Sequence, residues 1–118
     1  MKTSSCKAKG RNLQNYVVNT LLISYPELES DDIKPAIMGE SGEDIKLSPA
    51  AKKIIPYSFE CKNVEKINIW SAIAQAESNC KDRTPVVIFK RNRSKIYAVI
   101  EFDKFIKTIH NIKELEHI

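Results

Sequence analysis

Tyr57-Ser58-Phe59-Glu60-Cys61-Lys62 is the stretch on which the fold turns. Successive side chains of a strand point to opposite faces, so Tyr57, Phe59 and Cys61 share one face and Ser58, Glu60 and Lys62 the other. The first face is apolar and belongs to a core. The second sets a carboxylate and an ammonium side by side. On an exposed strand that is a plain salt pair, and most Glu-x-Lys triplets are no more than that. Here aromatic neighbours and an amphipathic helix just downstream indicate a central strand, where desolvating a charged pair without a purpose costs stability.

Working upstream, Pro56 closes a brief helical turn that Ser48 caps, with Pro49 at its first position and Ala50 to Ile54 behind it. Asp44 to Leu47 reads as a short strand, and Gly39-Glu40-Ser41-Gly42-Glu43 before it as a turn. Ile33 to Met38 is a further short strand, which Pro35 assigns to an edge or a bulge. Glu27, Glu29, Asp31 and Asp32 form a solvated loop. From about Arg11 to Tyr25 the stripes Leu13, Val17, Leu21 and Val18, Leu22, Tyr25 predict a helix with a wide buried face, ended by Pro26. Residues 1–8 are expected to be a flexible tail, leaving 9–118 as one domain.

Downstream, Ile67 to about Asn79 reads as a helix burying Ile69, Trp70, Ile73 and Ala76. Pro85 to Phe89 is a β-branched run and hence a central strand, Arg91 to Ser94 a tight turn, and Ile96 to Ile100 another strand. Phe102 to about Ile112 is a closing helix with Phe105, Ile106 and Ile109 inward. The order helix, three strands, helix, two strands, helix (αβββαββα) predicts a single α/β domain with a central mixed five-stranded sheet flanked by helices.

Composition sets the bounds. A chain of 118 residues supports one domain, and 42% apolar residues is ordinary for a globular protein. No apolar run approaches the ~20 residues that span a bilayer. Met1 to Gly10 lacks the apolar stretch of a secretory signal. Cys6, Cys61 and Cys80 are odd in number and show neither a CxxC pair nor zinc spacing, so the expectation is a reduced, intracellular protein. His110 and His117 have no cysteine partner near them and read as solvent-exposed. A net charge of +4 suits a phosphate-bearing partner without requiring one.

Joining the two short strands by a connection brings Asp44 beside Glu60. Two carboxylates at one point repel unless a cation sits between them, and oxygen-only ligands select a hard metal, Mg²⁺ or Mn²⁺. Gln75 lies on the polar stripe Asn68, Ser71, Gln75, which by spacing alone is simply the wet face of its helix. Glu43 points away from Asp44 on a strand and is expected at the surface.

The pattern Glu43-Asp44 followed by Glu60-Cys61-Lys62 resembles the PD-(D/E)XK nuclease superfamily. The stretch Gly39 to Asp44, taken with Glu60 to Asn63, is similar to its phage-type members and to the Holliday junction resolvase branch. The resemblance covers roughly residues 9 to 100 and implies a restriction-endonuclease-like core. It implies Mg²⁺ held by Asp44, Glu60 and the Cys61 backbone carbonyl, with Mn²⁺ able to substitute. Lys62 would then orient the attacking water or offset charge on the phosphate, and Gln75 would approach the site. Glu40 is a further candidate as an outer ligand. One departure stands out: such resolvases carry a glutamate on the first helix, and the matching position here is Gln14. An amide brings no charge, so a single metal ion is expected rather than two. The resemblance also implies cleavage of branched or junction DNA by a homodimer, in the cytoplasm of a bacterium or a phage-infected cell. A general phage DNA-degrading or repair nuclease of the same superfamily, a catalytically silent DNA-binding module, and a small interaction domain with a mere salt pair are the competing readings.

Lys90-Arg91-Asn92-Arg93-Ser94-Lys95 places four cations in six residues. Such a turn is often only a solvated hairpin. On the rigid support of a buried strand it is a candidate DNA-backbone contact through Lys90, Arg91, Arg93 and Lys95. Lys9 and Arg11, with Lys7, form a second basic spot, and Lys52 and Lys53 a third. Ser41 in the glycine turn joins this candidate surface, as does Asn63, which caps a turn or contacts phosphate. Neither a recognition helix nor aromatics interleaved with the cations are visible in the sequence, so shape and backbone readout are expected.

Overall fold

A computed structural model describes residues 2–37 and 39–116, with side chains described over 5–37 and 39–110. The first helix, α1 (Lys2–Ser24), is longer than its apolar stripes suggest. It starts where a loose tail over 1–8 was expected, because nothing from Lys2 to Lys9 breaks a helix and Lys7, Ala8 and Lys9 favour one. Its predicted face holds: Leu13, Val17 and Val18 are buried, with Leu21, Leu22 and Tyr25 packed against them.

Strands β1 (Ile33–Pro35) and β2 (Ile45–Leu47) pair antiparallel. β1 stops at Pro35 rather than at Met38, which lies outside the described residues: the Ala36 N–H still donates to the Asp44 carbonyl at 2.8 Å, but the Asp44 N–H turns to the Phe59 carbonyl and the ladder goes no further. Ser48 then caps α2 (Pro49–Ile54): its hydroxyl accepts from the Ala51 N–H at 3.1 Å and donates to Asp32 at 2.7 Å. Strand β3 (Tyr57–Asn63) leads to α3 (Ile69–Asn79), which Asn68 caps, and then to β4 (Thr84–Lys90). β5 (Tyr97–Ile100) and α4 (Phe102–Glu116) complete the chain. β3 pairs parallel with β4, and β4 antiparallel with β5.

The architecture is α/β with mixed pairing, but the five described strands form two sheets, β1-β2 and β3-β4-β5, not one. The reason lies at the seam between β2 and β3. The Asp44 N–H donates to the Phe59 carbonyl at 3.3 Å, as a ladder would begin. The next available donor on β3, the Cys61 N–H, is taken by the Asp44 carboxylate at 2.7 Å. A side chain thus closes the edge where a backbone rung was expected.

The main core lies between α1, the small sheet and one face of β3, with Ile33, Ile45 and Ile55 fully enclosed. Each such side chain contributes about 1.5–3 kcal/mol. On the other face α3 covers β4 through Ala72, Ala76 and Val87. Trp70, expected to be inward, is 77% exposed. α3 approaches the sheet on its alanines, and this close fit turns the indole outward. Phe105 and Ile106 of α4, also expected inward, are exposed at 45% and 44%. β5 is only four residues long and offers α4 little surface; a hydrogen bond of 3.0 Å between Thr108 and Tyr57 ties α4 to the start of β3 instead. Among the described residues no helix is long and apolar enough to cross a membrane.

Candidate active site

Both faces of β3 are covered, so Ser58 and Glu60, each 2% exposed, are as buried as the apolar Phe59 between them. Glu60 stands opposite Val87 in the β3–β4 register and points to the α3 side. Its Oε2 lies 3.6 Å from the Lys62 ammonium, and its Oε1 is buried with no hydrogen-bond partner. Burial, together with the facing Asp44 carboxylate and against the pull of Lys62, pushes the Glu60 carboxyl up to about 7.

Asp44 is held by three bonds. Its N–H goes to Phe59, its carbonyl accepts from the Ala36 N–H at 2.8 Å, and Oδ2 accepts from the Cys61 N–H. Within a strand a residue's N–H and C=O leave along the same edge, so the Cys61 carbonyl shares the edge on which Asp44 stands. The Cys61 thiol faces the core, where burial and the adjacent carboxylates raise its pKa far above the ordinary thiol value. A thiol-specific reagent should therefore modify exposed Cys6 in the native protein and reach Cys61 only on unfolding, as mass spectrometry of labelled peptides would read. Rapid native labelling of Cys61 would contradict this packing.

The Lys62 ammonium donates to the Gln75 Oε1 at 2.9 Å, so Gln75 fixes the lysine while remaining at the surface. Gln14 is half-buried and lines a cavity of about 210 Å³ with Asp44, Glu40, Lys7 and Arg11. Glu40 turns back to its own loop, accepting from the Ile37 N–H at 2.9 Å and lying 3.6 Å from Lys46. The Ser41 carbonyl accepts from the same lysine at 3.0 Å. Asn63 donates to the Lys9 carbonyl at 3.1 Å, a tie between β3 and α1. Arg91, Arg93 and Lys95 are exposed and Lys90 is half-buried, on the turn at the far end of the sheet.

Glu43 differs from expectation. Its side chain is 12% exposed and forms an ion pair with Arg83, itself 7% exposed. Ser58 donates to Glu43 Oε2 at 2.8 Å, and Arg83 donates to the Tyr57 carbonyl at 3.3 Å. These contacts clamp the residue next to Asp44 onto β3. Arg83 escaped the sequence reading, as did the bond of Ser58 to Glu43: no local pattern links Glu43 to positions 40 and 15 residues away in the chain.

Among the described residues no group of three or more His, Cys, Asp and Glu side chains gathers as a metal cluster. The fit to a hard cation rests on two carboxylates, one of which, Glu60, keeps a buried oxygen without a partner, and on one backbone carbonyl on the Asp44 edge. That donor set suits Mg²⁺, which keeps several waters and takes one or two protein carboxylates. No family model matches the chain, and neither a search of curated proteins nor one of solved structures finds a match.

Proposed function

We propose that this chain is a metal-dependent DNA endonuclease that hydrolyses phosphodiester bonds at Asp44, Glu60 and Lys62. The observation that carries the reading is the buried Glu60 carboxylate, with one oxygen unpartnered, facing Asp44 and flanked by a lysine. A structural salt pair needs only one carboxylate, whereas two carboxylates and one ammonium leave a negative excess suited to a divalent cation. Asp44, Glu60 and the Cys61 carbonyl would hold Mg²⁺ or Mn²⁺. Bound there, the ion would supply a Lewis acid and an activated water.

The remaining chemistry belongs to side chains. Lys62, fixed by Gln75, is the positive group available to offset charge growing on the phosphate oxygens. Gln14 lines the cavity at Asp44 and serves as a neutral hydrogen-bonding group there. Lys7 and Arg11 rim the same cavity and are suited to the flanking phosphates. Arg91, Arg93 and Lys95 extend the basic surface. Branched or junction DNA is the preferred substrate in this reading. Two symmetric cuts would take two copies of the chain, hence a homodimer.

A cleavage assay tests this. Labelled four-way junction and matched linear duplex are incubated with the wild type and with Asp44→Asn, in Mg²⁺ and in EDTA. The expected result is symmetric nicking of the junction that EDTA and the substitution both remove. Equal cutting of both substrates would keep the nuclease and discard the junction preference. Tight, salt-sensitive binding without any cutting would replace the enzyme by a silent DNA-binding module.

A further inference from the structure

The sequence shows no aromatic residue inside the cationic run 90–95, yet Phe89 and Tyr97 bracket it, and the fold sets them side by side. Phe89 and Tyr97 are register partners on β4 and β5, with ring centroids 6.0 Å apart and planes tilted by 35°. Phe89 backs the pair, and Tyr97 remains 54% exposed. Together with Lys90, Arg91, Ser94 and Glu65 they line an open cavity of about 260 Å³. Pockets for drug-sized ligands run from ~300 to 1,000 Å³, so this one is on the scale of a single planar ring system. It adjoins a second cavity, sharing Glu65 and Arg91 with it, where Asn92 and Arg93 complete the lining. Glu65, the one carboxylate in the pocket lining, accepts a 2.6 Å hydrogen bond from the Asn92 N–H and so serves the turn.

Position within the sheet relates this pocket to the candidate active site. Lys62 is the register partner of Phe89, and Phe89 of Tyr97, so the three form one cross-strand row on one face. With strands ~4.8 Å apart, Tyr97 stands about 10 Å across the sheet from Lys62. That is the length of about three nucleotides of duplex strand at 3.4 Å each.

We infer that Tyr97, backed by Phe89 and rimmed by Lys90 and Arg91, is a stacking site for one unpaired DNA base about three nucleotides from the scissile phosphate. An exposed ring beside cations is the pairing that single-stranded nucleic acid recognises: the ring meets a base face, and the cations meet the neighbouring phosphates. Only the position of the cut rests on the Asp44–Glu60–Lys62 reading. Base stacking at Tyr97 is a binding property that stands without cleavage.

The test is binding in EDTA, read by fluorescence anisotropy, to a blunt duplex and to the same duplex carrying a short single-stranded oligo-dT overhang. Tyr97→Ala should weaken binding to the overhang DNA roughly 5- to 100-fold and leave the blunt duplex unchanged. Tyr97→Phe should bind as wild type. Tyr97→Leu, which retains an apolar contact with Phe89 but has no π-face, should behave as the alanine variant while melting like the wild type. The slope of affinity against salt should stay constant in these variants and fall in Arg91→Ala, because stacking releases no counterions. Equal weakening on both DNAs, or wild-type affinity in Tyr97→Ala and Tyr97→Leu, would overturn the site, as would a wild type that binds neither DNA. Selective loss in a protein that cuts nothing would retain the stacking site and discard the nuclease.

Discussion

Replacing Arg83 with methionine should destabilise the protein by about 3–5 kcal/mol, the cost of stranding a buried carboxylate. The Glu43–Arg83 pair sits at the seam between the two sheets, with side chains 12% and 7% exposed. Without the guanidinium, Glu43 would retain only the Ser58 hydroxyl as a partner. The Tyr57 carbonyl would lose its bond from Arg83 as well. Adding Glu43→Gln to Arg83→Met removes the stranded charge, so the double variant should recover most of the loss. Urea unfolding followed by far-UV circular dichroism measures all three proteins. A single variant within about 1 kcal/mol of the wild type, the ordinary result for an exposed pair, would mean that the pair does not seal the seam.

The second large effect runs in the opposite direction: Glu60→Gln should stabilise the metal-free protein at pH 8. Folding raises this carboxyl from its ordinary 4.5 to about 7, with burial as the largest cause. Between those two values the folded state binds more protons than the unfolded state, so stability falls as pH rises. The contribution is fully present below about pH 4.5, is lost progressively up to pH 7, and is absent above that. Each tenfold gain in proton affinity on folding is worth about 1.4 kcal/mol, so the whole change amounts to about 3 kcal/mol. The glutamine does not ionise and avoids the loss, which corresponds to a melting temperature higher by about 10 °C at pH 8. The difference between wild type and variant is the quantity to follow, because every titration common to both proteins cancels in it. Mg²⁺ should stabilise the wild type at pH 8 and do little for the variant. Parallel stability curves from pH 5 to pH 8 would contradict the raised pKa of the buried Glu60 carboxyl.

Such a gain would mark the residue as a poor choice for stability alone. A carboxylate that weakens the fold above neutral pH is in keeping with the catalytic role proposed for Glu60.

Much of this fold is written in local periodicity. The stripe from Leu13 to Tyr25, the Ser48-Pro49 cap and the β-branched run before Phe89 each depend on neighbours within a turn or two of chain. Strand alternation likewise sufficed to set Glu60 and Lys62 on one face, apart from Phe59 and Cys61. What escaped was decided at longer range. The sheet reads as five strands because a sequence does not show that a carboxylate, Asp44, will take the Cys61 N–H in place of a backbone carbonyl. Hydrophobicity pointed Trp70 inward, but packing distance favours the small alanines next to it. α4 carries an apolar stripe as clear as that of α1, yet burial depends on the area of the facing surface, which four residues of β5 do not supply. Glu43 and Arg83 meet only after the chain has folded back on itself.

Trp70 is the chain's one tryptophan, and it stands 77% exposed at the rim of the groove between α3 and the β4–β5 side of the sheet, beside Ile73, Val87 and Val99. Its emission in the native protein should already resemble that of free indole in water, with a red-lying maximum and ready quenching by iodide. Unfolding will hardly change that signal, so fluorescence is a poor thermometer for this fold. The same indole is a sensitive reporter for anything that covers α3, and a blue shift on adding DNA or on raising protein concentration would mark the surface being occupied.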